Sequence, residues 1–418
     1  MAAAEARRRS NSVKEVIERI EADSTHHLAG PFIDASLTDT GPSTPRPTLT
    51  KRRSRRKGPL AVLPNPFIAT TTLWSDIITL NWARVPSSAF TLLCIPIVLW
   101  LNWELFTPRV SNPFKYMLFI QHRVGESDKG TLYRKGYGDI AFLLYYVVVF
   151  SFVRQTVTLY VLRPLALRLG IRKERTVDRF AEQGYAAFYF TVSGSLGLLA
   201  MYMSDGWYYN GKSFFNEYPY WRMTGFMKSY YLLQFSYWLQ QFLVLVLRLE
   251  KPRKDFKELV IHHIVTLWLI GWSYLVNLTP IGNAVFITMD VSDVFLAYAK
   301  IFNYLKMEMT GNVAFALLVF VWTYTRHYLN LYLLYSVYYD FDLIPQWARR
   351  WSPEEGVWMA GWMRWQIFTP MFLLQLVNLF WYFLILRIGY RALTKKELAD
   401  ERSDDEDDGE PEDNQKED

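Results

Sequence analysis

Eight apolar stretches recur along this 418-residue chain, at roughly 89–106, 140–162, 184–204, 229–248, 259–277, 284–302, 313–335 and 363–388. Each is close to the twenty residues, at about 1.5 Å per residue, that a helix needs to cross a bilayer. In hydrocarbon every backbone N–H and C=O must be satisfied within the protein, so a chain with this pattern is expected to fold as a helix bundle. The predicted class is therefore all-α: a polytopic membrane protein of about eight transmembrane helices. Composition points the same way, with 51% hydrophobic and 17% aromatic residues, because amphipathic rings favour the two bilayer interfaces.

The polar ends read differently. Residues 1–88 are rich in Pro, Ser, Thr and Arg and predict a disordered basic cytosolic arm, whose run from Lys51 to Lys57 suits anionic headgroups. The opening residues lack a short charged stretch followed by an apolar run, so insertion is expected to be directed by the first internal span. Residues 89–174 are assigned to the first two spans and the loop between them, 175–393 to a catalytic domain, and 394–418 to a disordered acidic tail. From 397 to 418 thirteen Asp and Glu face only Arg402 and Lys416, the composition of a solvated polyanion. Ser12, after Arg7 and Arg9, and Ser403, before Asp404, Asp405 and Glu406, are candidate phosphorylation sites.

Charge orients the spans. Arg163, Arg168, Arg172, Lys173, Arg175 and Arg179 follow the second span, and Lys251, Arg253, Lys254 and Lys257 follow the fourth, while 278–283 carries no charge. By the positive-inside rule the basic loops are cytosolic, and an even number of spans puts both termini there. The basic segment 107–139 breaks this pattern. Asn277 opens an N-L-T sequon beside Pro280 at the far boundary, where glycosylation is not expected.

Four ionisable residues lie at membrane depth: His262 and His263 at the start of the fifth span, Asp290 and Asp293 within the sixth. Such groups are costly in hydrocarbon and normally face a bundle interior, where they serve a pathway or a reaction. With these boundaries the histidines sit roughly 5–6 Å inside the cytosolic face, Asp293 roughly 10–14 Å deep and Asp290 one turn deeper. The aspartates share a helix face, whereas adjacent histidines diverge by about 100°, so one histidine at most meets a given aspartate.

An imidazole beside a carboxylate is suited to remove the proton of an incoming ammonium, or to accept an acyl group itself, and acyl transfer to an amine fits this set. Other chemistries fit less well. Six histidines, two of them in the arm, are too few for a membrane di-iron oxygenase, and neither H-E-x-x-H nor G-x-S-x-G occurs. Zinc held by both histidines and one aspartate is disfavoured, because neighbouring helix residues rarely ligate one ion, so neither a metal nor a cofactor is expected. The only cysteine, Cys94, lies far from the four, which argues against a thioester-forming nucleophile. The plain alternative is that the four groups pair merely to hold the bundle.

The run LRLEKPRKDFKELVIHHIVTL (Leu247 to Leu267), followed by ITMDVSD (Ile287 to Asp293) and AKIFNYL (Ala299 to Leu305), resembles the longevity-assurance motif of the ceramide synthases, most closely their fungal branch. The resemblance extends over about 135–395 and includes Arg179, Glu182 and Gln183, Trp322, Arg326 and His327, and Gln375 to Asn378. It implies a six-helix TLC core enclosing a lipid tunnel in the endoplasmic reticulum membrane, joining acyl-CoA to sphinganine or phytosphingosine. On the family pattern His262, His263, Asp290 and Asp293 are required for activity. Arg326, Asn303, Lys251, Arg253, Lys254 and Arg179 are the candidate substrate contacts, the last four for CoA phosphates and Arg326 either for a CoA phosphate or as counter-ion to a carboxylate of the four. Animal members usually have His where Met289 stands, so their chain-length rules do not transfer. Their homeodomain-like insert is not visible in 107–139, and no nucleic-acid partner is expected. The resemblance also implies a small single-span partner subunit and a homodimer or paralogue dimer. A non-catalytic lipid-binding TLC protein is the competing class.

Overall fold

A computed structural model of the chain describes residues 73–204, 207–250 and 254–395. Nine long helices dominate these residues: α1 (Pro86–Phe106), α2 (Gly138–Arg168), α3 (Glu174–Met203), α4 (Gly225–Val246), α5 (Phe256–Leu275), α6 (Thr279–Tyr304), α7 (Glu308–Trp322), α8 (Asn330–Tyr339) and α9 (Met363–Lys395). A π-helical segment, Thr323–Leu329, joins α7 to α8 into one rod. Five of these helices, α1, α2, α3, α5 and α9, are long and apolar enough to cross a membrane, and the fold is a polytopic all-α bundle. Apolar side chains point outward along its flanks: Leu101 on α1, Phe320 on α7 and Phe383 on α9 are more than half exposed, as expected where lipid is the solvent.

Every apolar stretch of the sequence is helical, including 284–302, which hydropathy alone would read as re-entrant. Its polar residues are turned inward: Asp290, Ser292 and Thr288 are fully buried. α6 packs closely on α3 because α3 presents Ser193, Gly194, Gly197 and Ala200, small residues that let membrane helices approach. A Cβ on Gly197 would stand 2.5 Å from the hydroxyl of Tyr230 on α4, so glycine is required where three helices meet.

Two features differ from the sequence reading. Residues 73–88, assigned to the disordered arm, are structured: a helix (Leu73–Ile78) is tied down by Asp76, which accepts from Ser88 Oγ at 2.6 Å and Asn81 Nδ2 at 2.9 Å, and Trp82 is buried. A short run of apolar residues broken by Asn and Asp gave too weak a periodicity to show this. The basic segment 107–137 forms a hairpin, β1 (Arg123–Ser127) with β2 (Gly130–Tyr133), extended antiparallel by β3 (Met223–Thr224). Buried Lys228 of α4 fastens the segment: its ammonium pairs with Asp139 at 2.7 Å and donates to the carbonyls of Gln121 (2.9 Å) and Arg134 (2.6 Å). Lys135 donates to the carbonyl of Leu275. The hairpin therefore caps the bundle at the end opposite the turn between α2 and α3. At that end Asn277 is buried and its amide nitrogen donates to Gly356 O at 2.9 Å, which engages the atom a glycan would need. The basic run 51–57, Ser12, Ser403 and the acidic tail lie outside the described residues.

Candidate active site

α5 begins at Asp255 and carries His262 and His263 about two turns later, both buried. His263 Nδ1 lies 2.8 Å from the carbonyl of Leu259, one turn earlier. A carbonyl only accepts, so Nδ1 is the donor of this bond and Nε2 is the ring nitrogen left for another partner. His262 has no such tie: its Nδ1 is buried without a hydrogen-bond partner among the described residues. The indole of Trp238 (α4) lies 5.7 Å from each imidazole, and that of Trp381 (α9) lies 5.2 Å from His262. Aromatic edges thus fix both rings without a carboxylate touching either.

The two aspartates part company. Asp290 is wholly buried between α3 and α4, its Oδ2 accepting from Ser193 (2.9 Å) and Gln234 (2.6 Å). Asp293, one turn on, meets Arg326 at 2.5 Å. Arg326 comes from the π-helical segment, and its guanidinium also donates to Ser292 Oγ (2.5 Å), Asn378 Oδ1 (3.1 Å) and Met289 O (3.2 Å) while lying 4.1 Å over the ring of Trp322. π-Helical turns often occur where a helix must aim a functional side chain inward. His327, in the same segment, is held by Gln375 at 2.8 Å.

A cavity of about 230 Å³ collects His262, His263, Asp293 and Arg326 on one wall system, with Trp238 and Trp381 between them. The same cavity is also lined by Arg154, Glu182, Glu250, Asp255 and Lys300, Arg154 pairing with Glu250 at 2.5 Å. A second, narrow cavity of about 50 Å³, lined almost wholly by apolar side chains such as Val285, Met289, Met371 and Leu374, shares His262 and Trp238 with the first and runs toward Val276 and Leu278 at the hairpin end. His262 therefore stands where a charged chamber meets an apolar one. Asp290 borders neither cavity; it acts through the packing of α3, α4 and α6.

Of the remaining candidates, Arg179 is buried and bonded to Glu182 at 2.9 Å, so it points at a neighbouring carboxylate rather than outward to a phosphate. Asn303 is exposed and does not border the cavity. Lys254 is exposed before α5, and Lys251 and Arg253 lie outside the described residues. Among the described residues no group of three or more His, Cys, Asp or Glu is placed to hold a metal ion. Sequence reasoning missed Trp238 and Trp381, hidden among 16 tryptophans, and Ser193 and Gln234, whose signal was a polar residue in the middle of an apolar span.

The fold and site define a polytopic all-α membrane protein whose interior holds a cavity lined by imidazole, carboxylate and guanidinium groups beside an apolar one. The TLC domain model of the TRAM, LAG1 and CLN8 proteins matches residues 179–387. The sphingosine N-acyltransferase lac1 of Schizosaccharomyces pombe is 42% identical over 314 residues, covering 75% of this chain and 80% of that protein. The ceramide synthase LAG1 of Saccharomyces cerevisiae is 42% identical over 295 residues, 70% of each chain, and the bovine ceramide synthase 4 is 30% identical over 241 residues, covering 56% of this chain and 57% of that one. The chain belongs to the TLC-domain family, in its fungal ceramide synthase branch.

Proposed function

We propose that this protein makes ceramide by transferring a fatty acyl group from acyl-CoA to the amine of a sphingoid base, sphinganine or phytosphingosine, in the endoplasmic reticulum membrane. It is an N-acyltransferase, the activity for which its relatives are named. The observation that carries the chemical reading is the position of His262 at the junction of the two cavities. A thioester whose tail lies in the apolar cavity and whose CoA emerges through the charged one has its carbonyl carbon beside His262, a near-attack placement.

In this reading His262 attacks that carbon, the C–S bond breaks, and CoA leaves as the thiol after taking the imidazolium proton. The substrate ammonium gives one proton to His263 Nε2, the freed amine attacks the acyl carbon, the bond to His262 breaks, and the second proton from nitrogen passes to His262 to restore its neutral imidazole. Asp293 and Arg326 form one neutral pair that holds the wall opposite, and Asp290 positions α6. Lys251, Arg253 and Lys254 meet the CoA phosphates outside the chamber. The open mouth and the α2–α3 turn with Arg163 and Arg175 share one end of the bundle, which we place in the cytosol with both termini. A small single-span subunit and a dimer with a second copy or a paralogue belong to the same proposal.

Purified full-length protein given acyl-CoA and sphinganine is expected to yield dihydroceramide, and His263→Ala is expected to lose at least 100-fold in rate, within the range of a missing acid–base group, about 10² to 10⁴. Product formed from free fatty acid without CoA, or full activity in His263→Ala, overturns the proposal. Binding of both lipids with no product would identify a non-catalytic lipid binder.

A further inference from the structure

Asp255 is placed oddly for its sequence position. It is the N-cap of α5, where an aspartate normally accepts from the N–H groups of the first turn, yet its side chain makes no such capping bond. Instead Oδ2 accepts from Trp381 Nε1 at 3.0 Å, and Oδ1 is buried with no hydrogen-bond partner among the described residues. Asp255 is only 8% exposed and borders the charged cavity. A buried carboxylate oxygen left unsatisfied costs free energy unless a guest supplies the missing donor.

The surroundings select the guest. Trp381 bonds Asp255 through its nitrogen and presents its ring 5.2 Å from His262, so the carboxylate lies one indole away from the reacting imidazole. The ionisable groups bordering the cavity, histidines aside, are four carboxylates (Glu182, Glu250, Asp255, Asp293) and three cations (Arg154, Lys300, Arg326). Arg154 is paired with Glu250 and Arg326 with Asp293. Glu182 is paired with Arg179 behind the lining, so Asp255 is the lining carboxylate that a cationic guest would engage and an anionic one would not.

We propose that Asp255 is the ammonium-binding residue for the long-chain amine substrate, which it receives in the charged cavity before nitrogen reaches His262 and His263. This rests on the N-acyltransferase reading and assigns the amine to a residue outside the intramembrane His/Asp set. Asp293 is engaged by Arg326 and Asp290 borders no cavity, which leaves Asp255 as the carboxylate with an unsatisfied oxygen in the chamber wall. Trp381 is a positioning residue that aims it.

The test is steady-state kinetics of the full-length protein in bilayer discs with each substrate varied. Asp255→Asn keeps the size of the side chain and an acceptor for Trp381. It is expected to raise KM for sphinganine about 10- to 100-fold, the worth of a charged hydrogen bond, with KM for acyl-CoA unchanged. Trp381→Phe is expected to raise the same KM several-fold. A protonated long-chain dimethylamine, which keeps one N–H donor and cannot end as an amide, should compete with sphinganine in the wild type and lose at least tenfold in potency against Asp255→Asn, whereas the neutral alcohol of equal length should inhibit both alike. An active wild type whose Asp255→Asn variant keeps the sphinganine KM and the sensitivity to the dimethylamine overturns this assignment alone. If Asp255→Asn does not fold, an unchanged sphinganine KM in Trp381→Phe overturns it. An inactive wild type overturns the N-acyltransferase reading.

Discussion

Replacing Arg326 by Met tests how the chamber wall is held. In the native protein the guanidinium is almost fully buried and satisfies Asp293, Ser292, Asn378 and the carbonyl of Met289 at 2.5 to 3.2 Å. Methionine fills a similar volume but supplies no donor, taking the 2.5 Å guanidinium contact away from an Asp293 carboxylate whose side chain is only 17% exposed. Breaking a buried pair from one side costs about 3–5 kcal/mol. At roughly 2 °C per kcal/mol for a chain of this size, the thermal midpoint, followed by tryptophan fluorescence in detergent, should fall by about 6–10 °C. Removing the second charge as well, in Arg326→Met with Asp293→Asn, should restore about half of the loss, because the buried carboxylate that has lost its guanidinium carries most of the penalty. Arg326→Lys should lie between, since an ammonium can reach Asp293 but cannot fork to Ser292 and Asn378. A midpoint for Arg326→Met within 2 °C of wild type, or a double variant worse than the single one, refutes the argument.

Intact-mass measurement after acyl-CoA alone should show one acyl adduct on the wild type and none on His262→Ala; absence of an adduct under rapid quench would favour direct transfer. Val285→Phe, in the wall of the apolar cavity, should shift products toward shorter acyl chains, by about fourfold in relative rate per excluded methylene at ~0.8 kcal/mol each, and an unchanged acyl profile would remove the tail from that cavity. Lys135, pressed toward the ring of Trp358 at 5.5 Å, has its ammonium pushed by burial from 10.5 down to about 8. Between those two values the unfolded chain holds the proton that the folded one has lost, so stability should rise with pH across that window. Lys135→Met should lose this rise, and equal slopes for the two proteins would contradict it.

The eight apolar stretches were legible as helices because length plus composition leaves a chain in lipid little choice but helix, and five of the resulting helices are long and apolar enough to cross a membrane. The same logic made His262, His263, Asp290 and Asp293 stand out, since ionisable groups in such runs are rare. The ordered segment before Pro86 was not legible, because Asp76, Asn81 and Ser88 stabilise it through side-chain bonds that no periodicity records. Nor was the division of labour among the four: spacing put Asp290 and Asp293 on one face, but Ser193 and Gln234 draw one of them out of the chamber and Arg326 engages the other. Those partners come from α3, α4 and the π-helical segment after α7, 33 to 97 residues away along the chain. Sequence alone thus determined that this protein is a helix bundle with polar groups inside the membrane. Only the tertiary structure decided which of them face the cavity, because a side chain's direction is local but its partner is set by which helices pack together.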